Sequence, residues 1–270
     1  IERDRRYAHA FRDRGVARKQ LGQLQGAIAD YDQAIALGPT DCADILVNRA
    51  NAKMEIHDTA GAKEDCDRAI EMSPSRAAFN VRGNAWGELG EHMKAIEDYD
   101  RALELDPRYA KAFHNRGFAR HALRDYAGAI EDYSRAIAID PKYAKAFANR
   151  ADARNASGDI EGAIADWRAF LALSPNSPEV ELFRTRLADA HYRLSCMLSL
   201  ASTGKGGTGG EARSIDVADA GRLREQAIDH LYKAVEAGFT DAATLASDPD
   251  LVSLHDDGRW CILMERLAEK

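Results

Sequence analysis

A chain of 270 residues that is 45% hydrophobic and 30% charged carries enough apolar material for a buried core, which excludes disorder along its whole length. Its 44 acidic and 37 basic residues leave a formal charge of −7 and are mixed along the sequence, so no basic block marks nucleic acid or an anionic membrane as a partner. No window reaches the roughly 18 consecutive apolar residues of a membrane span, and Ile1-Glu2-Arg3-Asp4-Arg5-Arg6 lacks the apolar core of a signal peptide. The start without Met predicts a piece of a longer protein or a processed form. Cys42, Cys66, Cys196 and Cys261 show no C-x-x-C pairing, which points to free thiols in a reducing, cytoplasmic setting rather than to zinc or redox chemistry.

In chain order, the prolines set the frame. Pro39, Pro74, Pro107, Pro141 and Pro175 stand 35, 33, 34 and 34 residues apart, each behind an apolar segment. They mark five units, 8–41, 43–75, 76–109, 110–143 and 144–177. Apolar or small residues recur at three- and four-residue steps on both sides of a polar break such as Leu123-Arg124-Asp125-Tyr126, so each unit reads as two amphipathic helices. Phe11, Leu46, Phe79, Phe113 and Phe147 hold the fourth place of the unit, and Gly15, Ala50, Gly83, Gly117 and Ala151 the eighth. Ala27, Ala62, Ala95, Ala129 and Ala163 hold the twentieth, and Tyr31, Cys66, Tyr99, Tyr133 and Trp167 the twenty-fourth. The small residues let two helices approach closely, the aromatics fill the space between neighbouring pairs, and proline ends each unit because it cannot continue a helix.

A period of about 34 with an aromatic at four, Gly or Ala at eight, Ala at twenty and Pro near thirty-two resembles the tetratricopeptide repeat. The resemblance covers residues 8–177, is cleanest over 76–143 and weakest over 43–75. It implies an all-α fold, a right-handed superhelical solenoid of antiparallel helix pairs. The seventh position, usually Leu in that family, is Arg in all five units (Arg14, Arg49, Arg82, Arg116, Arg150), and position twenty-three is always Asp (Asp30, Asp65, Asp98, Asp132, Asp166). A ladder of charged pairs follows as an expectation, within or between repeats, fixing stacking register more than adding stability.

Beyond Pro178 the period loosens. Helices over 188–200 and 223–236 predict a divergent sixth repeat across 178–238, interrupted by a Gly-rich insertion at 201–213. Gly204, Gly206 and Gly209 fit G-x-G-x-x-G, but the run follows a helix rather than a strand and has the composition of a linker. Residues 239–270 read as short capping helices, with Asp248 as an N-cap before Pro249, and with Trp260, Ile262 and Leu263 covering the last apolar face. This ending is similar to the tail of bacterial tetratricopeptide proteins, some of which follow Ser/Thr kinase domains.

In stacked pairs the first helix lines the concave side, so positions two, five, six and nine outline a groove. They carry Asn48, Asn80, Asn84, Lys111, Asn115, Lys145 and Asn149, and His114 and Phe118 lie on the same helix as Asn115. Asn offers donors and an acceptor to the backbone of an extended peptide whatever its sequence, and His114, Phe118 and His121 form an amphipathic strip beside it. Of the five places of the two-carboxylate clamp by which some family members grip chaperone C-termini, Asn84, Asn115 and Lys145 match. Asn80 and Asn149 replace two cations, which disfavours that ligand. No catalytic motif and no cofactor or metal site is read. The expected function is a non-enzymatic scaffold for a peptide or partner protein, with the regulatory segment of a larger bacterial Ser/Thr kinase and self-association as alternatives.

Overall fold

The computed structural model describes residues 2–38, 42–203 and 217–268, so Pro39 and the glycine run 204–210 lie outside the described residues. Among those described there are helices and no strands. In order they are α1 (Glu2–Gln20), α2 (Leu24–Ala36), α3 (Cys42–Glu55), α4 (Thr59–Met72), α5 (Arg76–Glu88), α6 (His92–Leu105), α7 (Ala110–Ala122), α8 (Tyr126–Ile139), α9 (Ala144–Ser157), α10 (Ile160–Leu173), α11 (Val180–Ser202), α12 (Val217–Ala237), α13 (Ala242–Ser247), a 3-10 helix (Pro249–Leu254) and α14 (Gly258–Ala268). The chain falls into two compact units, residues 1–146 and 147–270. No described helix is long and apolar enough to cross a membrane.

In the first unit the elements pack as consecutive helix pairs, α1 with α2, α3 with α4, α5 with α6 and α7 with α8. Short polar signals set their ends. Asp58 and Asp125 accept the backbone N–H of Gly61 and Gly128 at 3.0 Å, capping α4 and α8 where the first-turn donors have no partner inside the helix. The turn inside each pair needs a residue in the left-handed region, which Gly22 and Gly90 meet without steric cost; His57 and Arg124 meet it with φ of 62° and 63°.

Position eight decides how closely the helices of a pair approach. A Cβ added to Gly83 would lie 2.6 Å from the Tyr99 ring, and one on Gly15 would lie 2.7 Å from that of Tyr31. Each tyrosine also reaches the next pair: Tyr31 packs with Ile45 and Ala52, Tyr99 with Ala119. In the second pair Ala50 faces a smaller partner, Cys66, whose thiol burial pushes up to about 12, outside the range of a reactive thiolate. Gly83→Ala is therefore destabilising. Alanine gains about 1 kcal/mol of helix propensity, but the Tyr99 ring is buried and tied by its hydroxyl to Asn84 at 2.8 Å, and overpacking costs about 1–3 kcal/mol. A lowered midpoint in urea unfolding at unchanged slope is the expected result; a raised midpoint would show that the ring gives way freely.

The charged ladder forms within repeats and between them. Arg82 donates to Asp98 through Nε at 2.8 Å and Nη2 at 2.6 Å, and its Nη1 reaches back to Asp67 of the preceding pair at 2.8 Å. Arg116 does the same with Asp132 (3.0 and 2.6 Å) and Asp100 (2.5 Å), and Arg49 with Asp65 (2.8 and 2.5 Å) and Asp32 (2.5 Å). The recurring aspartates are 1–4% exposed, so the two-pronged geometry of guanidinium on carboxylate replaces their lost water. Burial alone would lower the pKa of Arg116, and the hydrogen bonds it donates to Asp132 and Asp100 instead hold it above its ordinary value. A second cation one turn on joins in: Arg18, Lys53 and Arg120 reach Asp30, Asp65 and Asp132 at 2.8, 2.9 and 2.9 Å. Where the fourth position is aromatic, the first-helix Arg also lies over that ring three residues earlier, as in Arg82 on Phe79 at 5.5 Å and Arg116 on Phe113 at 5.4 Å; Arg49 has Leu46 there instead.

In the second unit Arg150 pairs with Asp166 at 2.8 and 2.7 Å, and Arg154 joins at 2.8 Å. The helix expected over 188–200 begins earlier, at Val180, because Phe183 and Arg186 repeat the aromatic–arginine step of the other first helices, 5.1 Å apart. The helix expected over 223–236 likewise extends to Val217–Ala237. Asp248 caps Pro249–Leu254 by accepting the N–H of Asp250 at 2.8 Å, so the proline signal opens a 3-10 helix. Trp260 and Leu263 pack with Leu231, Leu245, Leu251 and Leu254, whereas Ile262, expected beside them, is 49% exposed. Between α10, α11 and α12, His191 is 1% exposed, with its Nδ1 2.7 Å from Nδ1 of His230 and its Nε2 3.0 Å from Nη2 of Arg168.

Candidate functional site

First helices pack on first helices, α3 beside α5 and α5 beside α7, and two cavities open along them in the 1–146 unit. One, of about 250 Å³, is lined by Asn51, Asn80, Val81, Asn84, Lys111 and Asn115, with Tyr109 and Tyr143 as walls. The other, of about 520 Å³, takes in Met54, Glu55, Gly87, Glu88, Tyr99 and Phe118 and shares Asn84 and Asn115.

Local sequence explains how the tyrosine walls arrive. Asp106 ends α6, accepts the N–H of Arg108 on its side chain at 2.9 Å, and accepts that of Tyr109 on its carbonyl at 3.1 Å. Asp140 repeats this with Lys142 and Tyr143 at 3.0 and 3.1 Å. Each Asp-Pro-x-Tyr turn thus closes one repeat and delivers a tyrosine to the cavity wall.

A network fixes the asparagines. Asn115 Nδ2 donates to Oδ1 of Asn80 at 3.1 Å and of Asn84 at 2.9 Å, and the Tyr99 hydroxyl also donates to Asn84 Oδ1 at 2.8 Å. Those donations orient Asn115, whose Oδ1 lies 3.1 Å from Nδ1 of His114; a carbonyl oxygen only accepts, so His114 carries its proton there. The His114 ring sits 4.9 Å from Tyr143 and 5.7 Å from Tyr133, and burial, with Lys145 adding to it, holds its pKa below the ordinary value against the pull of Asn115. The consequence is an inventory of one sign. The three amide oxygens accept from neighbours, while the amide nitrogens of Asn80 and Asn84 meet no acceptor among the described residues. Asn80 is 5% exposed, so its amide is reachable only from the cavity that it lines. Lys111 is exposed at the first turn of α7 and makes no ion pair among the described residues.

Of the residues singled out in sequence, Asn80, Asn84, Lys111 and Asn115 line the smaller cavity, and Asn84, Asn115 and Phe118 the larger. His114 stands behind Asn115, and Lys145 is exposed in the first turn of α9. Asn48 and Asn149 are half-buried and line neither cavity, and His121 turns onto Tyr126, 5.3 Å between rings. Sequence reasoning passed over Asn51, although it holds position nine of its unit, and Tyr109 and Tyr143, although the repeated Pro-x-Tyr could have marked them. Met54 and Glu88 carried no repeat signal.

Comparison with known proteins bears on this arrangement. Family models described as TPR repeat and as tetratricopeptide repeat match residues 83–123 and 110–143. Tetratricopeptide repeat protein 36 of Mus musculus is 39% identical over 70 residues, 26% of this chain and 37% of its own length. Its Homo sapiens counterpart is 42% identical over 62 residues, 23% of this chain and 32% of its own length, so the matches span about a third of these relatives. A thermophilic TPR protein of Thermus thermophilus superposes with a TM-score of 0.58 at 20% identity, covering 68% of this chain and 98% of that one. MamA of Desulfovibrio magneticus RS-1 gives 0.54 at 16% identity, covering 64% and 97%. At such identities these two likenesses speak to fold alone. Residues 83–143 thus match tetratricopeptide-repeat models, and they are set in an all-α fold of consecutive helix pairs shared with tetratricopeptide-repeat structures.

Proposed function

We propose that the first-helix face of the 1–146 unit binds an extended peptide segment of a partner protein, with no chemistry performed on it. The observation that carries this reading is the asparagine network. Its oxygens are occupied by Tyr99, Asn115 and His114, which leaves the Asn80 and Asn84 amides and the Lys111 ammonium as donors into a walled cavity. An extended chain presents backbone carbonyls that complement such donors regardless of side-chain sequence. The face thus asks for acceptors, more specifically than asparagines read from sequence alone suggest.

The test is an array of immobilised random decapeptides probed with the full chain. A subset of peptides is expected to bind, and Asn84→Ala with Asn115→Ala, folded by circular dichroism, is expected to lower their signal about tenfold or more, the loss of one or two hydrogen bonds. Equal binding by that folded double variant, or no peptide bound by the native chain, overturns the reading.

A further inference from the structure

The 520 Å³ cavity has a chemistry of its own. It is lined by Phe118 of α7, 59% exposed, by the half-buried Met54 of α3, and by the small Gly87 of α5, the helix that packs beside both. An exposed phenylalanine on the wall of a cavity is poised to lose its water to an apolar side chain of a ligand, whereas a scattered surface apolar residue is not so placed. The mouth is acidic. Glu55 is the last residue of α3 and Glu88 the last of α5, so both carboxylates add to helix ends that already carry partial negative charge. Glu55 is neutralised by Lys19 at 2.9 Å. Glu88 is not: it accepts from the Thr59 hydroxyl at 2.7 Å and makes no ion pair among the described residues.

Resting on the reading that this face binds a peptide, we propose that its ligand carries a bulky apolar residue next to a lysine or arginine. The apolar side chain enters between Met54 and Phe118, the cation meets Glu88 at the mouth, and the intervening backbone carbonyl faces the Asn84 amide that both cavities share. Charge complementarity commits the site to this occupant. An acidic side chain at the same place would face Glu88 and the C-terminal ends of α3 and α5.

The same decapeptide array separates the two claims. The native chain is expected to select Leu, Met or Phe beside Lys or Arg. Glu88→Lys, at an exposed position where folding is not at stake, is expected to abolish the basic preference and keep the apolar one. Phe118→Ala is expected to weaken the apolar-containing peptides about tenfold while leaving the thermal midpoint in place. Peptides that bind with no basic preference, or an arginine preference that survives Glu88→Lys, overturn this inference and leave the peptide groove standing. A native chain that binds no peptide, or one matched by the folded Asn84→Ala, Asn115→Ala variant, overturns both.

Discussion

Asp132→Ala should destabilise the 110–143 repeat by about 3–5 kcal/mol, the range found when one partner of a buried ion pair is removed. The Asp132 side chain is 1% exposed and receives Arg116 through two nitrogens, at 3.0 and 2.6 Å, and Arg120 at 2.9 Å. Alanine removes the bidentate carboxylate from both guanidinium groups, leaving Arg116, 16% exposed, with Asp100 alone and Arg120, 25% exposed, with Asp125 at 3.9 Å. Hydrogen exchange should show the loss in α7 and α8 first, since a repeat is coupled mainly to its neighbours. The double change Arg116→Met, Asp132→Leu should recover most of it, because a buried pair exchanged for apolar residues of similar volume is often near neutral. A loss below about 1 kcal/mol in Asp132→Ala would mean that the ladder is ornamental, and a double variant as unstable as the single would mean that it contributes more than register.

Acidification should weaken the 147–270 unit through His191. Arg168 can only donate, so His191 Nε2 accepts, its Nδ1 carries the proton, and that proton is donated to Nδ1 of His230. Both rings are therefore neutral in the folded chain, and a proton on the accepting nitrogen of either ring would break the chain of donors. Burial lowers His191 to about 3, with His230, Arg168 and Lys233 adding to it, and burial with Lys233 and Arg168 lowers His230 against the opposing pull of Asp229. A histidine whose folded pKa is depressed is stabilising above its unfolded pKa of about 6.5, and that stability drains away as pH falls toward the folded value. At pH 5 the loss from His191 alone is about 2 kcal/mol. The thermal midpoint of the native chain should fall between pH 7.5 and pH 5, and His191→Gln, which does not titrate, should flatten that slope. An unchanged slope in the variant would assign the pH dependence to other groups.

The repeat frame was legible because its signals are local. Proline spacing, small residues at position eight and aromatics at twenty-four report steric needs that each helix pair must meet with its own residues. The ladder was legible as a recurrence of Arg and Asp but not as a wiring, since Asp32, Asp67 and Asp100, two positions beyond the expected partners, recur as well and take the third nitrogen. The site was legible in part. That Asn84 and Asn115 share a face follows from helical periodicity. That their oxygens are consumed depends on rotamers and on Tyr99, a residue whose repeat position speaks only of packing. Glu88 has meaning solely through the end of α5 on which it sits, so no periodic pattern could reveal it. In the last third, Phe183 and Arg186 held the evidence for an early start of α11, but the lost proline frame hid their phase.

The matched sizes at positions eight and twenty-four bear on how such a chain can be rearranged. Glycine stands opposite tyrosine in three pairs, and alanine stands with cysteine in the second. Exchanging a single helix between the second pair and a glycine–tyrosine pair would set alanine against a tyrosine ring, or leave glycine facing a thiol with a void between them. Whole pairs can be transplanted without that mismatch. The arginine of an incoming pair finds Asp32, Asp67 or Asp100 on its predecessor in three places, whereas behind 110–143 the same position offers Ser134. Recombination in this array is therefore possible by the repeat.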